Sequence, residues 1–137
     1  MRKNVEERKD KKPKVYETYG MTETITHIAA KRIGEEVFTV LPNVKVSVDE
    51  RECLIIKAKR ISSKEIVTND IVELISDTQF KWEGRYDNVI NSGGIKLMPE
   101  QIEEKLSTLI PRRYFVSGLA DDNLGEKVVL YVEGESF

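Results

Sequence analysis

Between Val37 and Trp82 the apolar positions come in short runs separated by turn-forming residues. Val44, Val46 and Val48 alternate with Lys45 and Ser47. A period of two predicts a half-buried strand, because successive side chains of an extended chain point to opposite faces. Val37–Val40, Leu54–Ile56 and Ile71–Ile75 are also of strand length. The breaks at Leu41-Pro42-Asn43, Asp49-Glu50, Ser62-Ser63 and Asn69-Asp70 predict turns. Strands so short and closely spaced predict a small antiparallel sheet or barrel.

The pattern changes after Gly84. Asn88 to Leu97 reads as a hairpin or loop around Ser92-Gly93-Gly94, and Pro99 stands where a first helical turn would begin. Ile102, Leu106, Leu109 and Ile110 form an apolar face at helical spacing, with Glu103, Glu104 and Lys105 outside it. Tyr114–Val116 and Val128–Val132 predict two more strands joined by a polar turn at Asp121-Asp122-Asn123. The expected class is therefore α+β: a small antiparallel β-barrel or sheet region, then a strand, a turn, a helix and two strands. The divisions expected are a basic lead-in over 1–14, a β-rich part over 15–85 and a second part over 86–137.

Composition narrows the classes. The 137 residues carry 22 basic and 24 acidic side chains, a net charge of −2. No apolar run approaches the length of a membrane-spanning helix. A single cysteine, Cys53, excludes an internal disulfide framework and any multi-cysteine metal site, and its apolar neighbours predict burial. The charged opening residues do not resemble a secretory signal, so a cytoplasmic location is expected. Residues 1–14 hold seven of the bases against three of the acids, leaving the rest of the chain acidic. A basic arm on a β-barrel is one design for binding single-stranded nucleic acid. The alternating charges and the lack of interleaved aromatic residues favour a solvated lead-in instead.

Three clusters place polar residues and glycines where a plain sheet does not need them. In Tyr19-Gly20-Met21-Thr22-Glu23-Thr24 the glycine lets backbone approach a ligand closely, the threonine hydroxyl can meet a phosphate and the carboxylate can hold magnesium. The same residues also suit a turn entering a helix, with Thr22 as its cap. Asp70, in Thr68-Asn69-Asp70, can accept from the two hydroxyls of a ribose, or can belong to an ordinary turn. Gly84-Arg85-Tyr86-Asp87 through Gly93-Gly94 joins an arginine, an aspartate and a glycine pair, without the spacing of a Walker phosphate loop.

In order and spacing these clusters resemble the motifs of the adenylate-forming superfamily of acyl-CoA synthetases, luciferases and peptide-synthetase adenylation domains. Tyr19–Glu23 resembles its Y-G-x-T-E motif, Thr68–Asp70 stands at its T-G-D, and Gly84–Gly94 is similar to its G-R-x-D-x-x-I-K-x-x-G. Within it, Tyr16–Thr24 followed by His27-Ile28-Ala29 is most similar to the o-succinylbenzoate-CoA ligases of menaquinone synthesis. The resemblance implies attack of a carboxylic acid on ATP to give an acyl-adenylate and pyrophosphate, then displacement of AMP by coenzyme A.

Carried over by residue, the resemblance gives Thr22 a phosphate contact, Glu23 the magnesium ion and Tyr19 the adenine. Asp70 and Arg85 would bind the ribose hydroxyls, and Gly20 belongs to the same nucleotide site. Asp87 matches the hinge position, Ser92-Gly93-Gly94 the coenzyme A channel, and His27 a place in the acyl pocket. Asn69 replaces the motif's glycine, and Asn91 replaces its lysine. The superfamily's phosphate loop would precede Tyr19 and its catalytic lysine would follow Phe137. A fragment is therefore expected, inactive alone and liable to dimerise through surfaces its missing parts would cover.

Overall fold

The computed structural model describes residues 12–135, so most of the basic lead-in lies outside the described residues. Seven strands form one antiparallel sheet: β1 (Tyr16–Gly20), β2 (His27–Arg32), β3 (Val37–Val40), β4 (Lys45–Val48), β5 (Cys53–Lys57), β6 (Ile66–Ser76) and β7 (Gln79–Arg85). Their spatial order is β1-β2-β3-β7-β6-β5-β4. The sheet curls, because the Asp77-Thr78 turn between β6 and β7 accepts the Val46 N–H and the Val40 N–H, each at 2.9 Å. It does not close. Strands β1 and β4 remain its two edges, so the barrel alternative gives way to an open, curved sheet.

Alternation decides what the curl encloses. Ile28, Phe38, Val46, Leu54, Ile56, Val72 and Phe80 all point inward and are buried. Cys53 is buried as its neighbours predict. Phe38 and Phe80 face each other in register across β3 and β7, with stacked rings 5.4 Å apart.

The break expected at Asn69-Asp70 is absent, and β6 runs unbroken through it for 11 residues. Sheet neighbours meet the polar groups there. The Thr68 hydroxyl donates to the Leu54 carbonyl at 2.8 Å and accepts the Asp70 N–H at 3.1 Å. With these bonds made, burying a polar step costs little, and the strand has no reason to turn.

Past Arg85 a single 3-10 turn, Tyr86–Asn88, leads into a second sheet. Its strands are β8 (Ile90–Ser92), β9 (Ile95–Leu97), β10 (Tyr114–Asp121) and β11 (Gly125–Val132), in the order β10-β11-β8-β9. The predicted hairpin is present. Gly93 and Gly94 have φ of 57° and 83°, the left-handed pair that a two-residue hairpin turn demands. Helix α1 (Pro99–Leu106) begins at Pro99 as predicted and packs on β10 and β7. It stops a turn earlier than the apolar spacing suggests, leaving Leu109 72% exposed. Pro111 disfavours helix at Ile110, and the Ser107 hydroxyl donates to the Glu104 carbonyl at 2.7 Å. With one α-helix among the described residues, the expected α+β class becomes two antiparallel sheets with a helix between them.

Candidate functional site

The sheet register brings two of the motifs together before any side chain is considered: Asp70 on β6 is the direct partner of Arg85 on β7. Asp70 is 5% exposed. Arg85 Nη1 donates to its Oδ1 at 3.2 Å, and the Tyr19 hydroxyl donates to its Oδ2 at 2.5 Å. Three segments far apart in sequence thus meet at one carboxylate. Arg85 also lies 3.8 Å, by Nη2, from Asp87 Oδ2, an ion pair without a hydrogen bond.

Tyr19 reaches Asp70 because its ring is clamped edge-on by the core. Its centroid lies 5.3 Å from that of Phe80 and 6.0 Å from that of Phe38, at steep angles that suit aromatic quadrupoles. Burial first, then the bond to Asp70 and its negative charge, push the Tyr19 phenol far above its ordinary value. It stays a neutral donor at any physiological pH.

Beyond β1 a short 3-10 turn, Thr22–Thr24, carries the phosphate and magnesium candidates. Its anchor is Thr24, which the motif reading passed over. The Thr24 hydroxyl is buried, accepts the Met21 N–H at 3.0 Å and lies 2.8 and 2.7 Å from the Met21 and Thr26 carbonyls. Met21, not Thr22, occupies the cap position, and no α-helix follows. Thr22 and Glu23 are left exposed. Gly20 has a structural reason to be glycine: a Cβ there would come within 2.7 Å of the Thr26 carbonyl oxygen. His27, opposite Gly20 at the start of β2, is exposed.

Ser92, Gly93 and Gly94 lie on the β8–β9 hairpin of the second sheet, apart from the Asp70 cluster. There the Gly93 N–H donates to the Leu124 carbonyl at 2.8 Å.

Sequence reasoning did not single out Arg51, Asn88 or Glu100. Glu100 Oε1 accepts from the Arg85 N–H at 3.2 Å and from Asn88 Nδ2 at 2.9 Å. Arg51 bonds to Asp49, to the Thr68 carbonyl at 3.1 Å and to Asn69 Oδ1 at 3.0 Å. Asn69 therefore has work of its own where the motif has glycine. Glu100 showed in the pattern only as part of a helical first turn, and Arg51 only as one charge among many.

Between the first sheet and α1 lies a cleft of about 540 Å³, lined among others by Tyr19, Lys31, Asp70, Lys81, Trp82 and Glu100. Each Asp70 oxygen accepts one bond from the protein and keeps capacity for another, which suits a pair of vicinal hydroxyls. No group of three or more potential metal ligands is found among the described residues. Magnesium is nonetheless commonly held by one or two carboxylates plus substrate phosphates, so the exposed Glu23 beside Thr22 fits that mode.

No family model matches the chain, and no curated protein does. Solved structures do. An acyl-CoA synthetase (AMP-forming)/AMP-acid ligase II-like protein from Dyadobacter fermentans is 36% identical, matched over 96% of this chain and 40% of its own, with a TM-score of 0.55. The o-succinylbenzoate CoA synthetase of Bacillus subtilis, in complex with the acyl-adenylate OSB-AMP, is 18% identical at a TM-score of 0.76, over 96% of this chain and 34% of its own. The coronafacic acid ligase of Pectobacterium brasiliense is 17% identical at a TM-score of 0.71, over 88% and 29%. The chain spans well under half the length of each. Its structural neighbours are AMP-forming acyl-CoA ligases, and over that part of their length it shares their fold.

Proposed function

We propose that the chain is part of an AMP-forming acid-CoA ligase that makes an acyl-adenylate from ATP and a carboxylic acid, then the coenzyme A thioester. The observation that carries this reading is the meeting of Tyr19, Asp70 and Arg85, from three separate motifs, at one nearly buried carboxylate facing a cleft. Asp70 accepts the ribose hydroxyls. Arg85 orients that carboxylate through its bond to Oδ1, and Tyr19 fixes it through its hydroxyl while offering its remaining ring surface to the adenine. Thr22 contacts phosphate, and Glu23 holds the magnesium ion, which when bound neutralises phosphate charge. Asp87 lies in the turn that joins the two sheets and serves as the hinge. The Ser92-Gly93-Gly94 hairpin lines the coenzyme A channel in a second orientation, and His27 lies toward the acyl pocket.

For the acid we propose o-succinylbenzoate, on the strength of the Tyr16–Ala29 stretch. The remaining parts of the ligase, with its phosphate loop and catalytic lysine, belong to the same protein, and the chain alone is inactive. Exposed apolar residues on β10 and β11, among them Phe115, Leu119 and Leu130, support self-association of the isolated chain. The test of the reading is acid-dependent ATP–pyrophosphate exchange by the complete protein containing this chain. O-succinylbenzoate is compared with benzoate and a medium-chain fatty acid. Exchange with o-succinylbenzoate alone is expected. Exchange with another acid keeps the reaction and discards the substrate, and no exchange with any acid overturns the ligase.

A further inference from the structure

The covalent crossing from the first sheet to the second is short: β7 ends at Arg85 and β8 begins at Ile90. A turn like this leaves the relative orientation of the two sheets to whatever side chains hold it. Two polar side chains reach across it, one from each side, beside the packing of α1 on β7. From the second unit, Glu100 of α1 reaches back so that Oε1 accepts both the Arg85 N–H, at 3.2 Å, and Asn88 Nδ2, at 2.9 Å. From the first unit, the Arg51 guanidinium lies over the Tyr86 ring, 5.0 Å from its centroid.

Two further features mark the Glu100 contact as built for this approach. Gly84 faces it without a side chain, and a Cβ there would come within 2.8 Å of Glu100 Oε2. Oε2 itself is buried and has no hydrogen-bond partner among the described residues. A carboxylate that fills only one oxygen in a partly dry contact is held less firmly than one with both satisfied. The contact is made, but it is made cheaply enough to break.

We propose that Glu100 is a releasable clasp across the Arg85–Asn88 crossing, a positioning residue that sets the orientation of the second sheet against the first. Arg51 holds the turn on the first sheet when the clasp opens. That the two orientations serve two half-reactions rests on the ligase reading; the clasp itself does not.

The chain is labelled with nitroxides at Ser63→Cys and Asp122→Cys, both exposed and on opposite units, while the wholly buried Cys53 stays unlabelled. Pulsed electron–electron distance measurement on the otherwise unaltered chain, diluted with unlabelled chain so that only distances within one molecule are read, should give one narrow distribution. Glu100→Ala should add a second population, raising the ratio of open to clasped molecules by at least about tenfold through the loss of two solvent-exposed bonds to a charged acceptor. Glu100→Gln, which keeps an acceptor but not the charge, should fall between. Asn88→Ala removes one donor from an exposed amide, and Gly84→Ala displaces the carboxylate without removing it; both should shift the distribution the same way. A purely structural role would lower the melting temperature of these variants without changing the distances.

A broad distribution in the unaltered chain overturns the proposal, as does an unchanged one in Glu100→Ala and Asn88→Ala. If Glu100→Ala loses its sheet signal in circular dichroism, Asn88→Ala decides by itself. The experiment uses no nucleotide or acid. It can fail while pyrophosphate exchange succeeds, and the reverse.

Discussion

Tyr19→Phe removes one hydroxyl and leaves the aromatic cluster in place. The ring keeps its edge-on contacts with Phe38 and Phe80, so little apolar burial is lost. What goes is the 2.5 Å bond to Asp70 Oδ2. A hydrogen bond to a charged group contributes about 1.5–3 kcal/mol, and an acceptor left short of a partner in a buried place costs at the upper end. Asp70 keeps Arg85, whose side chain is 44% exposed and whose pairing is therefore weakened by water. We expect a loss of about 2 kcal/mol, read as a lower midpoint in urea with an unchanged slope.

The sign of the pH dependence follows from the phenol. Its folded-state value lies above the unfolded one, because burial and Asp70 both disfavour the phenolate. The stability it gives is complete below the ordinary tyrosine value of about 10 and is lost as pH rises past it toward the folded value. The gap between wild type and Tyr19→Phe should hold constant from pH 7 to 9 and narrow above pH 10. Equal midpoints at pH 7, or a gap that widens above pH 10, would refute the assignment of Tyr19 as the support of Asp70.

Gly20→Ala should destabilise by about 2 kcal/mol or more in the same titration, because its Cβ meets backbone at Thr26 and His27 that cannot swing aside. Ile25 is a β-branched residue at φ 62° and is 90% exposed, so Ile25→Asn should raise the thermal midpoint by relieving about 1 kcal/mol of strain. Phe80→Ala removes a fully buried ring from between Tyr19 and Phe38 and should cost about 3–5 kcal/mol in calorimetry. An Ile25→Asn protein less stable than its parent would count against the left-handed geometry at that turn.

Where one physical signal dominated, the chain was legible. The alternation of Val44, Val46 and Val48, the Gly93-Gly94 pair and Pro99 each have a single strong local preference, and each stands where that preference puts it. Asn69-Asp70 misled because turn-forming residues were read without knowing that Thr68 and Leu54 would meet their polar groups. The helix face failed at Leu109 because the spacing of apolar residues outvoted Pro111. At the site, Asp70 and Arg85 could be named from their motifs, but their pairing is a matter of strand register, which no local pattern carries. Glu100 and Arg51 were invisible for the same reason. Apart from Asp49, their partners are 12 or more residues away, and a charged side chain on a charged surface has no pattern to distinguish it.

The central claim is that Asp70 receives the ribose hydroxyls. It is tested most directly by comparing KM for ATP with those for 2′-deoxy-ATP and 3′-deoxy-ATP in the complete protein and its Asp70→Ala variant. A hydroxyl bound to a charged partner should make the unaltered protein discriminate against the deoxynucleotides by about tenfold or more. Asp70→Ala should raise KM for ATP and abolish that discrimination. Equal discrimination in the two proteins would place the ribose elsewhere and contradict the account.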